Sequence, residues 1–111
     1  MKKKIATPES RRAQGMAQAL DMMKIMSHPL RLSILCALIE HREMSAGEIV
    51  ERIRAETPAK ASQSQISQYL GQLREQGLIT GRKEGQFIYY RIGDPRVKKL
   101  IALLHDLYCP A

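Results

Sequence analysis

Between Ser62 and Gln72 the chain sets out Ser62, Gln63, Ser64, Gln65, Ser67, Gln68 and Gln72, short neutral side chains that donate and accept hydrogen bonds. Ile66, Tyr69, Leu70 and Leu73 alternate with them at helical spacing, so the polar set takes the opposite, outward side of one helix. A face chosen only for solubility usually carries Glu and Lys. Glutamine can instead bond N6 and N7 of an adenine together, which suits such a face to reading base edges. A bland polar face is the alternative. The start of this helix also offers free backbone N–H groups to a phosphate, with the positive end of the helix dipole behind them. Further on, Arg82 and Lys83 lie beside a turn at Gly85, where cations can contact phosphate or enter a minor groove. A solvated turn is the other reading there.

The remaining reactive side chains are few. Cys36 and Cys109 are the only cysteines, with no CxxC pair and no Cys/His cluster of a structural zinc site. Cys36 falls on an apolar face, where a thiol usually behaves as a small hydrophobe. Cys109 lies between Tyr108 and Pro110, where exposure is expected. His28 reads as a turn residue and His41 stands alone. No Gly-rich phosphate loop, Ser-His-Asp order or carboxylate cluster is present. Neither catalysis nor a cofactor is expected.

These residues need elements to position them. A helix is expected from Glu9 to about Met26, and its stripe of Met16, Leu20 and Met23 is assigned to a dimer interface, with packing on the protomer's own core as the alternative. Ser27, His28 and Pro29 break the pattern, and proline suits the first turn of a second helix reaching about Glu40. That helix is expected to bury Leu32, Leu35, Cys36 and Ile39, with Ile34 and Leu38 widening the face. Ser45 and Glu48 form a capping-box signature for a third helix carrying Ile49, Val50 and Ile53 to about Ala55. A linker from Glu56 to Ala61 follows, and Ser62 is the expected N-cap of the fourth helix, which stops before Gly77. Two strands, Leu78 to Arg82 and Phe87 to Ile92, form a hairpin through Lys83, Glu84, Gly85 and Gln86. Asp94 and Pro95 begin a fifth helix with Val97, Leu100, Ile101, Leu104 and Tyr108 on one face. This is the order of a winged helix-turn-helix, mainly α with a β-hairpin wing, with five helices and two strands.

Length and charge agree with that reading. A chain of 111 residues allows one small domain, here 9–111 behind a basic arm of residues 1–8. Its 44% hydrophobic and 26% charged residues suit a folded core and not a disordered tail. The net charge of +7 favours a polyanionic partner. Lys2, Lys3 and Lys4 are not followed by an apolar segment, and no apolar run reaches membrane-spanning length, so a soluble cytoplasmic protein without membrane contact is expected. An RNA-binding or architectural protein is the alternative from a different class.

Three stretches together resemble the ArsR/SmtB family of bacterial repressors: Ser27-His28-Pro29-Leu30-Arg31-Leu32-Ser33-Ile34-Leu35, Ser62-Gln63-Ser64-Gln65-Ile66-Ser67-Gln68-Tyr69-Leu70, and Leu73-Arg74-Glu75-Gln76-Gly77-Leu78-Ile79. The resemblance covers about residues 16–108. It implies a homodimer joined through the first and last helices, bound to an imperfect palindrome in double-stranded DNA and released by an inducer. The Glu56 to Ala61 linker is longer than the family's tight turn. Many family members sense metals, but Glu40 to Glu48 holds no cysteine pair. The family's last-helix ligand set is also incomplete. Asp94, His105 and Asp106 are present, whereas Arg96 and Leu107 stand where ligands belong, and no metal site is assigned. Spacing of i, i+4 between His105 and Cys109 is the best remnant of one, and metal-responsive repression is the runner-up. The placement of Cys36 and Cys109 is instead similar to the branch that responds to reactive sulfur species and oxidants. That similarity implies a pair bridged by a disulfide or a longer sulfur chain, with loss of DNA binding in the bridged form.

Overall fold

A computed structural model describes residues 7–56 and 61–108. Five helices and three strands follow in the order α1 (Pro8–Met26), α2 (Pro29–His41), β1 (Met44–Ser45), α3 (Ala46–Glu56), α4 (Gln63–Glu75), β2 (Ile79–Glu84), β3 (Phe87–Ile92) and α5 (Pro95–Tyr108). The expected winged helix-turn-helix is present. Its third strand was not anticipated, because two residues are too few to carry an alternating pattern. β1 pairs antiparallel with β3, giving the sheet order β1-β3-β2.

Local chemistry sets the helix boundaries. Thr7 caps α1 by accepting the Ser10 N–H at 3.0 Å while the Ser10 hydroxyl accepts the Thr7 N–H, so Pro8 is already helical and does not belong to the arm. Glu48 accepts the Ser45 N–H at 3.0 Å and Ser45 accepts the Glu48 N–H at 3.2 Å, the reciprocal pair expected at the start of α3. After α4, Gly77 N–H donates to Arg74 O and Leu78 N–H to Leu73 O, which places Gly77 at φ +77°, a conformation that favours glycine. β2 runs on to Glu84, opposite Phe87, leaving Gly85 and Gln86 as a two-residue turn tighter than the expected loop.

The core gathers around α2, which packs on α1, α3, α4, α5 and β3. Ile34, Leu35 and Leu38 share one core with Ile49 and Ile53 of α3, Ile66 and Leu73 of α4, Ile79 of β2, and Val97 and Ile101 of α5. Because neighbours surround α2 on several sides, its buried set is Leu30, Ile34, Leu35, Ala37 and Leu38. Leu32, Cys36 and Ile39, expected in the core, are half-buried along its edge. Tyr108, expected on the buried face of α5, is 78% exposed. Of the expected linker, Glu56 ends α3, Ala61 is buried, and residues 57–60 lie outside the described residues.

Candidate nucleic-acid interface

α4 presents its polar residues outward because Ile66, Leu70 and Leu73 are buried on its other side. Ser62, Gln63, Ser64, Gln65, Ser67, Gln68 and Gln72 are all exposed. Two of them have a second job. Ser62 accepts the Gln65 N–H at 3.1 Å and Gln65 accepts the Ser62 N–H at 3.2 Å, closing a capping box. Gln63, Ser64, Ser67 and Gln68 make no such side-chain bond among the described residues.

The attitude of α4 is fixed by a junction that sequence reasoning missed. His28 caps α2, its Nδ1 accepting the Leu30 N–H at 3.2 Å, so the ring proton resides on Nε2. That Nε2–H donates to the Tyr69 hydroxyl on α4 at 2.9 Å, and the two rings stand 4.7 Å apart. The Arg31 guanidinium lies 5.5 Å from the Tyr69 ring on the same junction. A tyrosine within an otherwise aliphatic helix face was the available signal, since a half-buried hydroxyl needs a partner.

In the wing, Arg82 is not an isolated cation. It donates to Glu43 at 2.7 Å and to Glu84 at 2.5 Å, and its guanidinium lies 5.1 Å from the Tyr89 ring. Donating hydrogen bonds to these carboxylates, Glu43 foremost, holds Arg82 protonated more firmly than an ordinary arginine, and Arg82 in turn lowers the pKa of Glu43. Lys83 is exposed and makes no ion pair among the described residues.

Away from these surfaces, Glu40 at the end of α2 joins α5 to α3. One carboxylate oxygen lies 2.7 Å from His105 Nε2, and the other accepts from Arg52, which also pairs with Glu56. The Arg52 hydrogen bond, then that of His105, lowers the Glu40 pKa below the usual carboxylate range. Cys36, half-buried, precedes Glu40 by one helical turn, while Cys109 lies outside the described residues. Among the described residues no group of three His, Cys, Asp or Glu side chains could hold a metal ion. No single helix there is long and apolar enough to cross a membrane.

Comparison with known proteins agrees with this arrangement. Residues 28–80 match the model of the bacterial regulatory protein, arsR family. The transcriptional activator HlyU of Vibrio cholerae is 42% identical over 86% of this chain and 82% of its own. The HTH-type transcriptional regulator YgaV of Escherichia coli is 42% identical over 84% of this chain and 88% of its own. Among solved structures, reduced HlyU from Vibrio cholerae superposes with a TM-score of 0.77 at 39% identity, covering 89% of this chain and 97% of that one. The repressor BigR from Xylella fastidiosa gives 0.73 at 30% identity, covering 96% and 100%. With the capped polar helix, the wing behind it and these relatives in agreement, the chain belongs to the arsR family of bacterial regulatory proteins and is a DNA-binding transcriptional regulator, not an enzyme.

Proposed function

We propose that this regulator is a cytoplasmic repressor that grips an imperfect palindrome as a homodimer and lets go when Cys36 and Cys109 are bridged. The observation that carries the DNA-binding half is the uncharged outer face of α4, where Ser62, Gln63, Ser64, Gln65, Ser67 and Gln68 are the base-reading set. Arg82 and Lys83 of the wing supply phosphate contacts, Arg82 by exchanging carboxylate for phosphate. A dimer accounts for the apolar side chains left outside the protomer. Met16, Leu20 and Met23 of α1 and Leu103, Leu107 and Tyr108 of α5 are each at least half exposed, and an apolar groove runs between α1 and α5 beside Met23 and Leu100.

The switch is supported by the α2–α5 contact. His105 meets Glu40, Cys36 lies four residues before Glu40, and Cys109 follows His105 by four residues in sequence. Bridging the two thiols removes two electrons and two protons, taken up by a polysulfide or peroxide that is reduced in return. A bridge would tie the last helix to the second and alter the spacing of paired α4 helices, which must match half-sites about one DNA turn apart. One similar protein, HlyU of Vibrio cholerae, was solved in a reduced form. The test treats parent, Cys36→Ser and Cys109→Ser with polysulfide or peroxide and follows intact mass beside operator binding. Release by the parent alone, together with the mass of a bridge, is expected. Release by the serine variants, or a bridged parent still bound, refutes the thiol switch. A reporter fused to the operator decides repression, which requires derepression when the protein is deleted.

A further inference from the structure

Most of the arginines that meet carboxylates in this molecule are neutralised by them: Arg52 by Glu40 and Glu56, Arg82 by Glu43 and Glu84, Arg96 by Asp94. Three cations that make no ion pair among the described residues converge on one place. Arg42 after α2, Arg91 on β3 and Lys98 on α5 line one cavity of about 380 Å³, together with Leu38, Ile39 and Thr80, and no carboxylate lines it. Glu43 lies close enough to Arg91 for the two charges to interact, but its carboxylate hydrogen-bonds Arg82 and does not line this cavity. All three cations are exposed, so solvent screens their mutual repulsion, and an anion seated among them would meet three positive charges at once.

The backbone carries an independent cost at the same place. Arg42 has φ +61° and ψ −52°, the only non-glycine residue with positive φ among the described residues, and Glu43 N–H donates to His41 O across it at 2.6 Å. This is a γ-turn of the strained hand, rare for a residue with a side chain. A glycine would adopt it without penalty. Instead the position holds an arginine that lines the cavity. Convergent charge and local strain are both offset if a bound anion takes up Arg42.

We propose that Arg42, Arg91 and Lys98 form a binding site for a phosphate-type oxyanion, separate from the α4 reading face, with the Thr80 hydroxyl as a further donor. A planar guanidinium suits such an oxyanion because it can donate two parallel hydrogen bonds. No residue of α4 lines the site, nor does Arg82 or Lys83 of the wing, and we assign it to a free phosphate-bearing small molecule instead of the DNA backbone.

The experiment uses full-length reduced protein and inorganic phosphate, with chloride holding ionic strength constant. Parent protein is expected to show saturable heat on titration and a rise in Tm of a few degrees at saturation. Arg42→Gly, which removes both charge and strain, should raise the phosphate-free Tm while abolishing the phosphate response. Lys98→Gln, with no backbone consequence, should weaken the response at least threefold. In a second arm, the salt dependence of operator binding by both variants should match the parent. A flattened salt slope without any response to free phosphate would overturn the assignment and give the site to the DNA backbone. No phosphate response in the parent together with unchanged salt slopes in both variants, or an undiminished phosphate response in both variants, would overturn the site itself.

Discussion

His105 Nε2 on α5 lies 2.7 Å from Glu40 Oε1 on α2, and the same carboxylate holds Arg52 on α3, so one side chain ties the proposed dimer helix to the first helix of the DNA-binding motif. Its ionisation therefore bears on how those helices stay together. Arg52, and after it His105, holds the Glu40 pKa below its ordinary 4.5 in the folded state. A group with a lowered folded pKa adds stability that is present above its unfolded value and is lost as pH falls through the folded one. Stability should accordingly decline with acid from about 4.5 downward, and Glu40→Gln should flatten that decline while lowering Tm at neutral pH. Thermal melts of both proteins across this range check it. An equally steep acid limb in the variant would assign the loss to Glu43, Glu48 and Asp94, whose pKa values are also lowered.

Gln65 and Gln68 should separate folding from reading. Gln65 both faces outward and closes the cap on Ser62, so Gln65→Ala should cost about 0.5–1 kcal/mol of stability as well as operator preference. Gln68 has no capping bond, and Gln68→Ala should leave Tm nearly unchanged while removing about 1–3 kcal/mol of discrimination between operator and unrelated duplex. Gln65→Glu, which preserves the cap, should restore Tm without restoring discrimination. Melting curves beside competition binding measure both. A Gln68→Ala protein that discriminates like the parent would remove that residue from the reading face.

The helix-turn-helix and its polar face were legible in the sequence because they follow local rules: apolar spacing, Ser45 with Glu48, Ser62 before an apolar run, and Gly77 after it. Relationships spanning distant sequence were not. Nothing in the neighbourhood of Arg82 announces Glu43, because the two meet only once β1 pairs with β3. Likewise His28 and Tyr69, far apart in sequence, meet only where α2 and α4 pack. In α2 the widened face of Ile34, Leu35 and Leu38 is buried as its spacing predicts, whereas Leu32, Cys36 and Ile39 are only half-buried, because which edge of that face is covered depends on the several elements packed around it.

If Arg82 contacts DNA as proposed, Glu43 is its competitor, since the two are ion-paired in the free protein. Replacing its carboxylate by an amide should free the guanidinium, raising affinity for any duplex severalfold and steepening the salt dependence by up to about one phosphate contact. Because Arg82 would meet phosphate and not bases, the preference for operator should stay constant. Binding of Glu43→Gln and parent to operator and random duplex at several salt concentrations tests this. An unchanged slope would place Arg82 off the DNA and leave Lys83 as the wing's contact.

Tyr69 offers a test of how the attitude of α4 is held. Its hydroxyl accepts from His28 Nε2, and its ring meets Arg31, so both contacts anchor the reading helix to the first turn of α2. Tyr69→Phe keeps the ring and removes the oxygen, leaving a half-buried Nε2–H without its partner, at a cost of about 1 kcal/mol. Tyr69→Leu loses the cation–π contact as well and should cost more. With α4 less firmly seated, operator affinity should fall severalfold, whereas weak binding to random duplex should persist. The salt slope is the decisive measurement. Tyr69 faces protein on this account, so the number of neutralised phosphates is the same in parent and variant and the slope should not move. A slope reduced in Tyr69→Phe would mean that the hydroxyl leaves His28 for a backbone phosphate in the complex, and would transfer Tyr69 from positioning α4 to contacting DNA.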